Sequence, residues 1–163
     1  MVIILRKFFL VFIVLLTGCS LNNSPTSKVE ELLGKYQGLD QSITYNYLDL
    51  SSDVLISEDI ENDYVDVIKK QYRNMSYEVK DENIDGDMAT VTVQVEVIDY
   101  KKVINEYDID RNDDIHKEII DKLNGVKEKV NYTIDFTVVK DKDGNWNLGN
   151  LTEEIQQKLL GIY

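Results

Sequence analysis

The chain contains one histidine, His116, and one cysteine, Cys19, so any site built on an imidazole or a thiol must use these residues. An imidazole can act as a general base or a metal ligand. No placed serine, second histidine or thiol joins His116, and a zinc site would need carboxylates for every other ligand. His116 stands beside the apolar stripe of a helix expected around Ile115, Ile119, Ile120 and Leu123, and it is read as a solvated helix residue. Two oxygen-rich clusters invite calcium: Asp108, Asp110, Asn112 and Asp114, and then Asp141, Asp143 and Asn145. Both fail the EF-hand pattern, because position six is Asp113 or Trp146 instead of glycine and position twelve is Ile119 or Thr152 instead of glutamate. Turn chemistry accounts for the second cluster, since tight turns favour Asp, Asn and Gly.

A tyrosine facing a pocket carboxylate would be another route to acid/base chemistry. Tyr36, Tyr64, Tyr72, Tyr100, Tyr107 and Tyr132 are candidates to line a pocket between helices and sheet, although tyrosines are more often core with the hydroxyl at the rim. Asp135 is the candidate acid by strand position, but its parity sets it opposite Ile134 and Phe136, towards solvent. The glycines form neither GxGxxG nor GxxxxGK[ST], and the sequons at Asn74 and Asn131 are taken as coincidental. No catalytic residue, cofactor or metal ligand is assigned, and the chain is read as non-enzymatic.

The cysteine is different. Arg6 and Lys7 precede the apolar run Phe8 to Leu16, then come Thr17, Gly18 and Cys19, in the layout of a secretory signal. A helix over Phe8 to Leu16 would be roughly 14 Å long, about half of a ~30 Å hydrocarbon core, which is too short to span it. Leu16-Thr17-Gly18-Cys19 resembles the lipobox of bacterial lipoproteins. That resemblance implies a signal peptide over residues 1–18, diacylglyceryl transfer to Cys19 and cleavage before it. Two acyl chains anchor firmly where one anchors marginally, so the palmitate-type anchor places the protein at the extracytoplasmic face of the cell membrane.

Residues 19–26 then read as the lipidated cysteine and a polar tether, SLNNSPT, and residues 27–163 as one domain. Cleavage leaves 145 residues, enough for a single core. The leader holds two of the 18 basic residues and none of the 30 acidic ones, so its removal takes the net charge from −12 to −14. Such a surface is repelled by nucleic-acid phosphate and by anionic headgroups, so attachment to the membrane must be covalent.

Within the domain, Ser27 and Glu30 have capping-box spacing ahead of Val29, Leu32, Leu33 and Tyr36, and Gly38 supplies a stop. Residues 40–50 carry a weaker helical pattern. Ser57 is the expected cap of a helix bearing Ile60, Tyr64, Val67, Ile68 and Met75. The period then changes to two at Tyr77 and Val79, along Ala89 to Val97, along Val130 to Val138, and at Trp146 and Leu148, with turns at Asp85-Gly86 and Asp141 to Asn145. Helices are expected around Val103–Tyr107, Ile115–Leu123 and Leu151–Ile162. The fold class is therefore α+β, with amino-terminal helices packed in a curved antiparallel sheet.

The opening helices, the stretch KKQYRNMSYEVKDENIDGDMATVTVQVEV and the closing KDKDGNWNL strand resemble nuclear-transport-factor-2-like (cystatin-like) domains of small lipoproteins from Gram-positive bacteria. The resemblance implies a fold that often encloses a conical pocket, in some members as an enzyme and in others for binding alone. The resulting expectation is a membrane-anchored binding or scaffolding module that meets an extracytoplasmic protein or small ligand. A small pocket enzyme and a calcium-binding surface protein are the alternatives.

Overall fold

The computed structural model describes residues 23–40, 58–106 and 113–163. The leader, Cys19, the weak helical pattern of residues 41–50, Ser57, Tyr107 and the carboxylates Asp108 and Asp110 lie outside these residues.

The fold is α+β, and the described residues contain five helices and one four-stranded antiparallel sheet. Helix α1, Pro25–Gly38, begins three residues earlier than a cap at Ser27 implies. Ser24 is the N-cap, with its Oγ accepting from the Ser27 N–H at 3.0 Å, while the Ser27 hydroxyl accepts from the Ser24 N–H at 2.9 Å. Ser27 is thus the third residue of the box instead of its cap, and Pro25 takes a first-turn position where its missing N–H costs nothing. The stop also differs: Leu39, at φ 54°, takes the left-handed conformation, not Gly38. Its partly buried side chain packs against the core, which a glycine could not do.

Helix α2, Glu58–Asn74, runs into strand β1, Ser76–Asp85, and a two-residue turn containing Gly86 leads to β2, Met88–Ile98. Two helices follow, α3 (Lys101–Glu106) and α4 (Asp113–Gly125), before β3 (Lys129–Lys140), β4 (Trp146–Leu148) and α5 (Glu153–Leu160). The strands form a plain meander, β1-β2-β3-β4. Within 101–126 the described residues form these two helices, inserted between β2 and β3, and the strand order is that of a simple meander.

Alternation decides the faces. Ala89, Val91, Val93, Val95 and Val97 are buried and lie across from Val138, Phe136, Ile134, Tyr132 and Val130. Thr90, Thr92, Gln94 and Glu96 occupy the opposite face, where the Thr92 hydroxyl donates to Asp135 at 2.6 Å. Asp135 is exposed, as its parity requires.

The buried face meets α1, α2 and α5 in a cluster containing Val29, Leu33, Tyr36, Tyr72, Phe136 and Trp146. A second cluster lies between α2, α3 and α4, built on Tyr64, Val67, Tyr100, Ile119, Ile120 and Leu123. Ile162 packs against both. Gln71, wholly buried on α2, stitches them together: its amide nitrogen donates to the carbonyls of Ile98 at 2.8 Å and Leu160 at 2.6 Å, and its oxygen accepts from the Ile98 N–H at 2.9 Å. Three buried backbone groups at the ends of β2 and α5 are thereby satisfied by one side chain.

Candidate functional site: a sealed histidine–tyrosine pair and an adjoining groove

Helix α4 turns His116 inward. Positions 116, 119, 120 and 123 are spaced i, i+3, i+4, i+7, so the imidazole belongs to the stripe of Ile119, Ile120 and Leu123, and Ile115 falls at its margin. The side chain is 0% exposed, which corrects the solvated reading: α2 packs on this face and covers it. Tyr64, on α2, places its hydroxyl 2.9 Å from His116 Nδ1, and the two rings meet edge to face with centroids 5.8 Å apart. Either the phenol donates to a bare Nδ1 or a protonated Nδ1 donates to the phenol; Nε2 has no hydrogen-bond partner.

The tyrosines do not converge on one pocket. Tyr36 and Tyr72 meet in the first cluster with ring centroids 4.8 Å apart and planes tilted by 51°, while Tyr64 and Tyr100 belong to the second. Tyr132 is half-buried and donates its hydroxyl to the Tyr163 carbonyl at 3.1 Å. Burial pushes the phenols of both Tyr64 and Tyr100 up to about 12. The Tyr100 hydroxyl is buried without a hydrogen-bond partner. Tyr100 borders an apolar void of about 20 Å³ shared with Val67, Gln71 and Leu123, room for a single water.

Outside this cluster runs a groove of about 490 Å³. Asp99, just after β2, and Glu128, just before β3, form one wall; Lys102 and Glu106 of α3 and Lys122 of α4 form the others, over a floor of buried Val103. The ends of the two strands are joined here by the Asp99 N–H donating to the Glu128 carbonyl at 2.9 Å. Lys122 bridges the helices, 3.7 Å from Glu106 and 3.9 Å from Glu118. The Glu128 carboxyl is held below its ordinary value by backbone N–H groups, its own first and then that of Lys127, with Lys102 and Lys127 adding attraction. The groove thus offers charges of both signs around an apolar floor, which suits binding of a ligand with mixed polarity.

The Asp141 cluster is consumed by its own turn. Its Oδ1 accepts from the N–H groups of Asp143 and Asn145, both at 2.9 Å, and Oδ2 accepts from the Asn147 amide at 3.1 Å. These bonds, that to Asn145 first, hold the carboxyl below its usual range. Among the described residues no group of three or more histidine, cysteine or carboxylate side chains is arranged to hold a metal ion, and no helix is long and apolar enough to cross a membrane.

Sequence reasoning missed Gln71 and misplaced His116, and both were detectable. Gln71 continues the stripe of Tyr64, Val67 and Ile68 at i+7, as His116 opens that of α4. Comparison of the chain with known protein families, with curated proteins and with solved structures finds no match.

Proposed function

We propose that the protein is a lipoprotein, anchored through Cys19 at the extracytoplasmic face of the cell membrane, whose domain is a non-enzymatic binding or scaffolding module. The observation that carries this reading is the arrangement of the two ends of the sheet. Asn23 accepts from the Trp146 N–H at 2.9 Å and reaches the side chain of Asn145, so the start of the domain is tied to the β3–β4 end. The same end carries the β1–β2 turn, because the Lys140 N–H donates to the Asp87 carbonyl at 2.8 Å.

Four residue steps separate Cys19 from Asn23, a reach of at most roughly 14 Å. A lipid on Cys19 would hold this end against the bilayer, while the groove of Asp99, Lys102 and Glu128 opens at the far end of β2 and β3, facing away. An extracytoplasmic protein or small ligand arriving from solution would meet the groove first. The sealing of His116 beneath α2 favours binding over acid/base chemistry, since a substrate in the groove does not touch the imidazole. In its finer classification, we read the fold as nuclear-transport-factor-2-like; helices packed on one face of an antiparallel meander support that assignment.

Mass spectrometry of the mature protein tests the anchor. The expected mass is that of residues 19–163 plus a diacylglyceryl group, with Cys19→Ala abolishing both processing and retention in the membrane fraction. Recovery of a chain with a free thiol at Cys19 from membranes refutes the proposal.

A further inference from the structure

Strand β1 lies at the edge of the sheet, paired with β2 alone, so one row of its backbone N–H and carbonyl groups faces outward. From Lys80 to Met88 every residue is exposed, although Thr26 in the first turn of α1 reaches Glu82 on the inner face. The register sorts the side chains: Asp81, Asn83 and Asp85 lie across from Thr92, Thr90 and Met88 on the outer face, while Glu82 and Ile84 lie across from Val91 and Ala89 on the inner one. Ile84 is 51% exposed and Met88 is 55% exposed, the two most open large apolar side chains among the described residues.

The charges decide what can join this edge. Lys80 pairs with Glu78, and Glu82 is engaged by the N–H and hydroxyl of Thr26, at 2.9 and 2.7 Å. Asp81, Asp85 and Asp87 have no basic neighbour within ion-pair distance among the described residues. A second copy of the chain added antiparallel about Asn83 would set Asp81 against Asp85 of the other copy, a like-charge opposition that destabilises cross-strand pairing. A strand carrying lysine or arginine at alternate positions meets Asp81 and Asp85 on one face, and apolar residues between them meet Ile84 on the other.

We propose that the outward edge of β1, residues 80–85, is a docking strip for an extended basic segment of a partner protein, which adds to the sheet as a fifth strand. Main-chain bonds supply the attachment and the alternating side chains supply the selection. This surface is separate from the groove and does not depend on the lipid anchor.

The test uses the full chain in detergent and a labelled ten-residue peptide of alternating lysine and valine. The peptide is expected to bind saturably and to slow amide hydrogen exchange across residues 80–85. The double variant Asp81→Lys, Asp85→Lys should weaken binding at least about tenfold, with circular dichroism confirming its fold. A lysine–proline peptide of equal charge, with half its amide donors removed, should bind at least about tenfold more weakly. Equal binding of the two peptides would reduce the attraction to diffuse charge and overturn the proposal; so would binding without protection of β1, or no binding at all.

Discussion

At the scale of single residues, two phenols are held in a state that water would not impose. Tyr64 and Tyr100 are raised from an ordinary value of 10.0 to about 12, with desolvation of the phenolate as the cause in both. Below about pH 10 both groups keep their protons whether the chain is folded or not, and the protein has its full stability. Between about 10 and 12 the unfolded chain releases protons that the folded one retains, so stability must fall as pH rises through this window. Ultraviolet titration of the folded protein should place Tyr64 and Tyr100 among its late-ionising tyrosines, and Tyr64→Phe should reduce that late amplitude by one phenol. If all tyrosines of that variant and of the parent titrate together near 10, the described burial is wrong. Removing the Tyr64 hydroxyl also leaves His116 Nδ1 without a partner, a loss on the order of 1–3 kcal/mol in chemical denaturation.

At the scale of elements, the ends matter more than the middles. Gly161 caps α5 at φ 73°, its carbonyl accepts from the Tyr100 N–H at 2.8 Å, and a methyl group placed there would sit 2.0 Å from the Ile98 carbonyl oxygen and 2.6 Å from Gln71 Nε2. Gly161→Ala therefore combines backbone strain with a clash against main chain, and a loss on the order of 3 kcal/mol or more is expected from urea denaturation. A loss below about 1 kcal/mol would mean that the α5 end does not press on β2. These ends are also where the sequence spoke least clearly. Valine alternation in β2 reveals its buried face without ambiguity, because a period of two has only two phases. A helical stripe is broader, and a polar residue inside it reads as its margin, so the sequence points His116 to solvent and does not single out Gln71 although both are buried. The cap of α1 was misplaced for a related reason, since Ser24 and Ser27 both suit the position and only Pro25 between them distinguishes the register. The groove was not legible in advance: its walls come from the ends of β2, α3, α4 and β3, and no spacing along the chain brings Asp99 beside Glu128.

At the scale of the whole molecule, the two apolar clusters behave as one unit if the Gln71 stitch and the shared Ile162 hold them together. The chain supplies one reporter for each: its single tryptophan, Trp146, packs in the first cluster, and its single histidine, His116, is sealed against Tyr64 of the second. Trp146 fluorescence and the His116 ring-proton resonance should therefore lose their native signals at the same urea concentration. Separate midpoints would show that the clusters open independently. The seam between them has a consequence for how the protein is made. Leu160, Gly161 and Ile162 are the residues that close it, receiving Gln71, Tyr100 and both sets of side chains. A polypeptide emerging amino-terminus first has α1 and α2 ready to cover part of β2 and β3 as these strands appear, but the share of the roof that belongs to α5, and the seam itself, can close only when those three residues arrive, so joining of the two clusters is the last step of maturation.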